Sequence, residues 1–182
     1  TWAGGAEPKR RVHPMPGNAL ETELLMKMRP FHARWEGEKL VAYICPAGFL
    51  TIGIGHNCEA SPVPGITRAG NRIDEDDVER LYAEDCRKTF AGLDRHLPWW
   101  RQLDAPRAAV LFDMAFNMGI GFPPSGDKRG KGLRSFVNTL EHIRNGRYVA
   151  ASLGMRESKW CADVKGRADV MIKQMVSGQW QV

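Results

Sequence analysis

Residues 35 to 56, WEGEKLVAYICPAGFLTIGIGH, restrict the fold more than any other stretch of this 182-residue chain. A carboxylate, Glu36, ends a short apolar-rich segment and is followed at once by Gly37. An alternating run comes next, turns at Pro46-Ala47-Gly48, and returns as Phe49-Leu50-Thr51-Ile52-Gly53-Ile54-Gly55-His56. Gly just past a periodic segment stops a helix, and alternation interrupted by Pro and Gly makes a hairpin. The pattern predicts a helix end feeding a β-hairpin. Such a hairpin holds Cys45 and Thr51 near the start of its two strands, within reach of Glu36. A lone acid facing two small polar groups across a cleft suits acid-assisted cleavage of a C–O bond.

The rest of the chain reads as helices joined by short breaks. Residues 1–17 carry Pro8, Pro14, Pro16 and Gly17 and read as a flexible lead, which leaves residues 18–182 as one domain. Asn18 can cap a helix through Leu20, Leu24, Leu25 and Met28, which Pro30 ends or restarts. Residues 57–72 read as a Pro- and Gly-rich loop, after which Asp74 opens a long helix with a partial apolar stripe. The stretch 104–118, DAPRAAVLFDMAFNM, is the most apolar. Asp104 caps it, Pro106 sits near its start, and Gly119-Ile120-Gly121 ends it, so Val110, Leu111, Met114 and Ala115 fit the core face of a central helix. Residues 122–132 read as an exposed loop, and helices are expected at 133–145, 147–153 and 166–177.

The helix-end acid and hairpin resemble the phage-type lysozymes, glycoside hydrolase family 24. That family's motif is Glu, eight residues, Asp or Cys, five residues, Thr, closing on T-x-G-x-G-H; here it stands as Glu36, Cys45 and Thr51-Ile52-Gly53-Ile54-Gly55-His56. Phe116-Asn117-Met118-Gly119 resembles a turn that lines the family's sugar cleft. Ser158-Lys159-Trp160 with Gly166-Arg167-Ala168 resembles its carboxy-terminal pattern, in which a Trp packs in the core and an Arg returns to the catalytic Glu. The resemblance spans roughly residues 18–180. It implies an α+β, mostly helical lysozyme-like fold, with a small β-hairpin lobe, a larger helical lobe and a cleft between. The long helix after Asp74 would bridge the lobes.

The resemblance also implies an activity: hydrolysis of the β-1,4 bond between N-acetylmuramic acid and N-acetylglucosamine in bacterial peptidoglycan, ending in host-cell lysis. It makes Glu36 the acid. A glutamate free in water has a pKa near 4.3, so it works as an acid only where its surroundings keep it protonated often enough. Trp35, Phe49 and Leu50 are the nearby apolar residues, and an Arg167 pair would orient the carboxyl. Cys45 stands where many members have Asp. It acts as a thiolate, contributes less charge than Asp would, or attacks the sugar itself. Thr51 would position the attacking water, and inversion is the first expectation. Asn117 and Phe49 are candidates for substrate binding, and His56 for support of the hairpin. Alone, Glu36 is an ordinary helix-end carboxylate, Cys45 a half-buried thiol and Thr51 a residue that suits a strand; the fixed spacing sets them apart.

Charge and cysteine content narrow the partners. A net charge of +5 favours a polyanion such as the cell wall. No helix-turn-helix, RNA-binding aromatic motif or dense basic helix speaks for nucleic acid. No run approaches the roughly 20 apolar residues that cross a bilayer, so no stable membrane insertion is expected. The first 20 residues lack the apolar core of a signal peptide, and the chain opens on Thr, so an earlier segment could have been removed. The resemblance places synthesis in the host cytoplasm and action in the periplasm or on the wall. The cysteines, 45, 58, 86 and 161, show no metal spacing, and no cofactor is implied. Cys86 and Cys161 read as buried helix thiols. Cys45 could be locked by Cys58, or by a cysteine upstream of Thr1, and freed on activation. A monomer is expected, since no heptad seam or large apolar stripe is visible. The alternatives are a weakly catalytic peptidoglycan-binding module and a lytic transglycosylase.

Overall fold

A computed structural model describes residues 18–182; the lead at 1–17 lies outside them. The chain has the α+β, mostly helical lysozyme-like fold. Helix α1 (Ala19–Glu36) starts where Asn18 accepts from the Leu20 amide at 3.0 Å, and stops before Gly37, whose φ of +77° no other residue adopts cheaply. Pro30 neither ends nor restarts it. The helix runs through, because Leu24, Met28, Phe31 and His32 are all buried on one side and that packing outweighs one lost backbone bond. The proline frees the carbonyl of Met26, an exposed residue.

A three-stranded antiparallel sheet follows in the order β1 (Lys39–Ile44), β2 (Leu50–Gly53), β3 (His56–Asn57). Tyr43 faces Thr51 and Ile44 faces Leu50 across the hairpin. The Cys45 amide closes it by donating to the Phe49 carbonyl at 3.0 Å. Residues 57–72 are more ordered than a loop. β3 occupies their start, Ala42 donates to the Asn71 carbonyl at 2.8 Å, and Ile73 donates to the Leu40 carbonyl at 3.0 Å, along the free edge of β1. These bonds join segments distant in sequence, which a local pattern does not encode.

Helix α2 (Glu75–His96) begins where Asp74 accepts from the Asp77 amide at 2.8 Å. It serves two cores. Leu81 packs with Ala42, Leu50, Ile52, Cys58, Val63 and Ile66 under the sheet, while Val78, Tyr82, Cys86, Phe90 and Leu93 join the larger helical core. A short 3-10 turn, Pro98–Gln102, leads to α3 (Ala105–Met118), capped by Asp104 and ended at Gly119. Every residue of α3 from Ala108 to Ala115 is buried, and α1, α2 and α7 (Gly166–Ser177) pack around it. The stretch 122–132 is largely exposed, as expected of a surface loop, and folds back on itself through bridges at Phe122–Lys131 and Ser125–Lys128. The helix expected at 133–145 is split into a 3-10 turn at Leu133–Ser135 and α4 (Val137–Arg144). Helices α5 (Tyr148–Arg156) and α6 (Lys159–Val164) precede α7.

Candidate active site

Glu36 is the last residue of α1, and three separate elements converge on it. From α7, Arg167 Nη1 donates to Glu36 Oε1. From α3, Asn117 Nδ2 donates to the same oxygen at 3.2 Å. From the β2–β3 turn, Gly55 presses its backbone close: a Cβ there would lie 3.3 Å from Glu36 Oε2. Gly55 also has φ of +69°, so the turn requires glycine twice over. The carboxyl side chain is 22% exposed, whereas that of Arg167 is 3% exposed. Both hydrogen bonds fall on Oε1. Oε2 has no protein donor among the described residues.

Cys45 and Thr51 meet at the mouth of the hairpin. The thiol is held below its ordinary range, first by the Thr51 hydroxyl and then by the Phe49 amide; slight burial opposes this, and the Ala47 and Gly48 amides add to it. Thr51 is 4% exposed, and its hydroxyl also lies 3.0 Å from the Phe49 carbonyl. One hydroxyl carries one proton, so it serves the sulfur or the carbonyl at a given moment and can accept from water with its lone pairs. Tyr43 links this corner to the acid. Its hydroxyl is pushed up by burial first, then by the Cys45 and Glu36 charges, so both groups lie within its field.

His56 is tied in two directions, with Nδ1 2.7 Å from Asp85 Oδ2 and Nε2 2.8 Å from the Ser61 carbonyl. Burial lowers its pKa, but the Asp85 carboxylate and the Ser61 carbonyl outweigh burial and raise it on balance. The pair fastens β3 to α2. Phe49, 43% exposed, stands at the hairpin rim. Asn117 is shared between the acid and an open groove of about 700 Å³, which Phe136, Asn138, Lys159 and Trp160 also line. Trp160 is 6% exposed in the main core, and its Nε1 has no partner.

All four cysteines are free thiols. The Cys45–Cys58 pairing considered from sequence is therefore not formed; Cys58 is buried in the small core instead. Cys161 is only partly buried, unlike Cys86, because α6 is a short surface helix. Among the described residues no three His, Cys, Asp or Glu side chains gather as a metal site. Sequence reading missed Asp113 and His32, which are both fully buried beside Arg167. The signal was present. A carboxylate inside the most apolar stretch must be paired, since a buried lone charge is prohibitive.

Comparison with known proteins decides the family, because the phage lysozyme family model matches residues 33–167. The chain belongs to the phage lysozyme family. That span opens three residues before Glu36 and closes on Arg167, so it encloses Glu36, Cys45, Thr51, Asp113, Asn117 and Arg167. Among similar proteins, the pre-baseplate central spike protein Gp5 of Enterobacteria phage T4 is 26% identical over 171 residues, 84% of this chain and 28% of that protein. The peptidoglycan hydrolase gp36 of Pseudomonas phage phiKMV is 28% identical over 146 residues, 79% of this chain and 14% of that protein. The chain therefore spans a minor part of the length of these relatives.

Proposed function

We propose that this chain is a muramidase that hydrolyses the β-1,4 bond between N-acetylmuramic acid and N-acetylglucosamine in bacterial peptidoglycan. Glu36 donates its proton to the leaving glycosidic oxygen through Oε2, while Arg167 and Asn117 fix the carboxyl through Oε1. Water is held by Thr51 and Cys45 on the other side of the sugar ring, and the thiolate stabilises positive charge developing at the anomeric carbon. Water attack opposite the departing oxygen gives inversion. Asn117 and Phe49 contact the sugar, and His56 keeps the hairpin against α2.

The observation that carries this reading is the one-sided bonding of Glu36, which leaves Oε2 without a protein donor, beside Gly55 of the β2–β3 turn. The +5 charge suits an anionic wall polymer. The gp36 relative is named a peptidoglycan hydrolase. The protein would act on the wall from the periplasmic side as a monomer, causing host lysis; among the described residues no helix is long and apolar enough to cross a membrane. Mass spectrometry of the muropeptides released from purified sacculi tests the reaction. A reducing muramic acid end is expected. An anhydro-muramic end would instead mean transglycosylation, and binding without release would mean a recognition module.

A further inference from the structure

Among the described residues, Asp113 is the only acidic residue in the buried class, at 0% exposure. A carboxylate without water must be compensated by protein. Arg167 supplies most of it. Its Nε lies 3.1 Å from Asp113 Oδ1 and 3.3 Å from Oδ2, and its Nη2 lies 2.8 Å from Oδ1. His32 closes the other side with Nε2 3.2 Å from Asp113 Oδ1, an approach too bent for a straight hydrogen bond. The His32 ring is itself pinned. It stacks on Phe116 with centroids 4.3 Å apart, and its Nδ1 lies 3.0 Å from the Tyr82 hydroxyl. Sequence spacing builds the arrangement. His32 and Glu36 are one turn apart on α1, Asp113 and Asn117 are one turn apart on α3, and Arg167 lies between the two pairs. With Nε and Nη2 engaged by Asp113, Nη1 is the end that meets Glu36.

We propose that Asp113, clamped by His32, is a positioning residue that orients the Arg167 guanidinium and neutralises its charge, so that Nη1 fixes Glu36 without an unopposed cation beside it. This rests on Glu36 being the acid. Arg167 from α7 contacts Glu36, whose charge also reaches Tyr43 on the hairpin, and Arg167 and His32 are the groups that face Asp113. Neutralising Asp113 therefore leaves the positive charge of Arg167 acting on Glu36 alone. The test measures dye release from labelled peptidoglycan against substrate concentration and pH, per folded molecule as judged by circular dichroism. Asp113→Asn should lower kcat roughly 10- to 100-fold with KM within about twofold, as expected for a misplaced catalytic group. The alkaline fall of its activity profile should move to lower pH. His32→Leu should lose kcat as well, and His32→Gln, which keeps an N–H toward Asp113, should recover much of it. Parent-like kcat and pH profile in folded Asp113→Asn would overturn the proposal. Should that variant not fold, equal kcat in His32→Gln and His32→Leu overturns it. Retained activity in a parallel Glu36→Gln sample would instead refute the acid assignment itself.

Discussion

Replacing Arg167 with Met strips the buried carboxylate of its main partner while keeping an unbranched side chain in the same space. Asp113 is 0% exposed and holds the guanidinium through contacts of 2.8 to 3.3 Å, so no water takes over. Breaking a buried pair from one side costs about 3–5 kcal/mol, because a lone charge stays behind. At roughly 2–4 °C per kcal/mol for a domain of this size, the melting temperature should fall by roughly 6–20 °C. The pH dependence is equally specific. Burial pushes the Asp113 carboxyl up, but the close approach of His32 and the charge of Arg167 outweigh it and hold the carboxyl below the usual carboxylate range. A depressed value in the fold means stability that is present above about pH 3.9 and is lost as pH falls through the folded value. Without Arg167 only His32 opposes burial, so protonation relieves more of the penalty. The stability gap between parent and variant should therefore shrink as pH is lowered from about 7 toward about 4.5. Urea unfolding followed by circular dichroism at both pH values measures it. A loss below about 1 kcal/mol at pH 7, or a gap that does not change with pH, would refute the account of this buried pair.

Gly55→Ala places a Cβ at φ of +69° and 3.3 Å from Glu36 Oε2. It should cost roughly 1–2 kcal/mol in thermal unfolding and reduce wall clearing as well. Cys45→Ser replaces a thiol of lowered pKa with a hydroxyl that ionises far less readily. Clearing should drop roughly 100-fold, the lower end of what a group handling protons at the transition state contributes, and parent-like clearing would mean that the sulfur does not act as an anion. His56 has its pKa raised in the fold, so its contribution is complete below about pH 6.5 and is lost as pH rises through the folded value. The melting-temperature difference between parent and His56→Gln should accordingly narrow above about pH 6.5, and a constant difference would count against the Asp85 pair.

The local signals of this fold were readable because their chemistry is local. Asn18, Asp74 and Asp104 each accept from a backbone amide two or three residues on, and Gly37 and Gly119 each stop a helix at positive φ. What escaped the sequence depends on distant packing. Pro30 sits inside α1 because four buried side chains hold the helix on both sides of it. The edge bonds of residues 70–73 to β1 and the bridges within 122–131 join segments whose own patterns say only turn and loop.

The site divides in the same way. The spacing of Glu36, Cys45 and Thr51 forecast one corner; Cys45 and Thr51 meet at the hairpin mouth, and Tyr43 feels the charges of both Cys45 and Glu36. The Arg167–Glu36 contact spans 131 positions and was anticipated from family resemblance, not from spacing. Asp113 announced itself as a charge in an apolar run. Its partners could not be named until α1, α3 and α7 were placed side by side.

The most direct measurement compares turbidity clearing of permeabilised bacteria by the parent and by Glu36→Gln at equal folded concentration. Gln keeps an acceptor for Arg167 and Asn117 but has no proton to give. The account predicts clearing by the parent and none by the variant. Clearing by Glu36→Gln at a rate near that of the parent would contradict it.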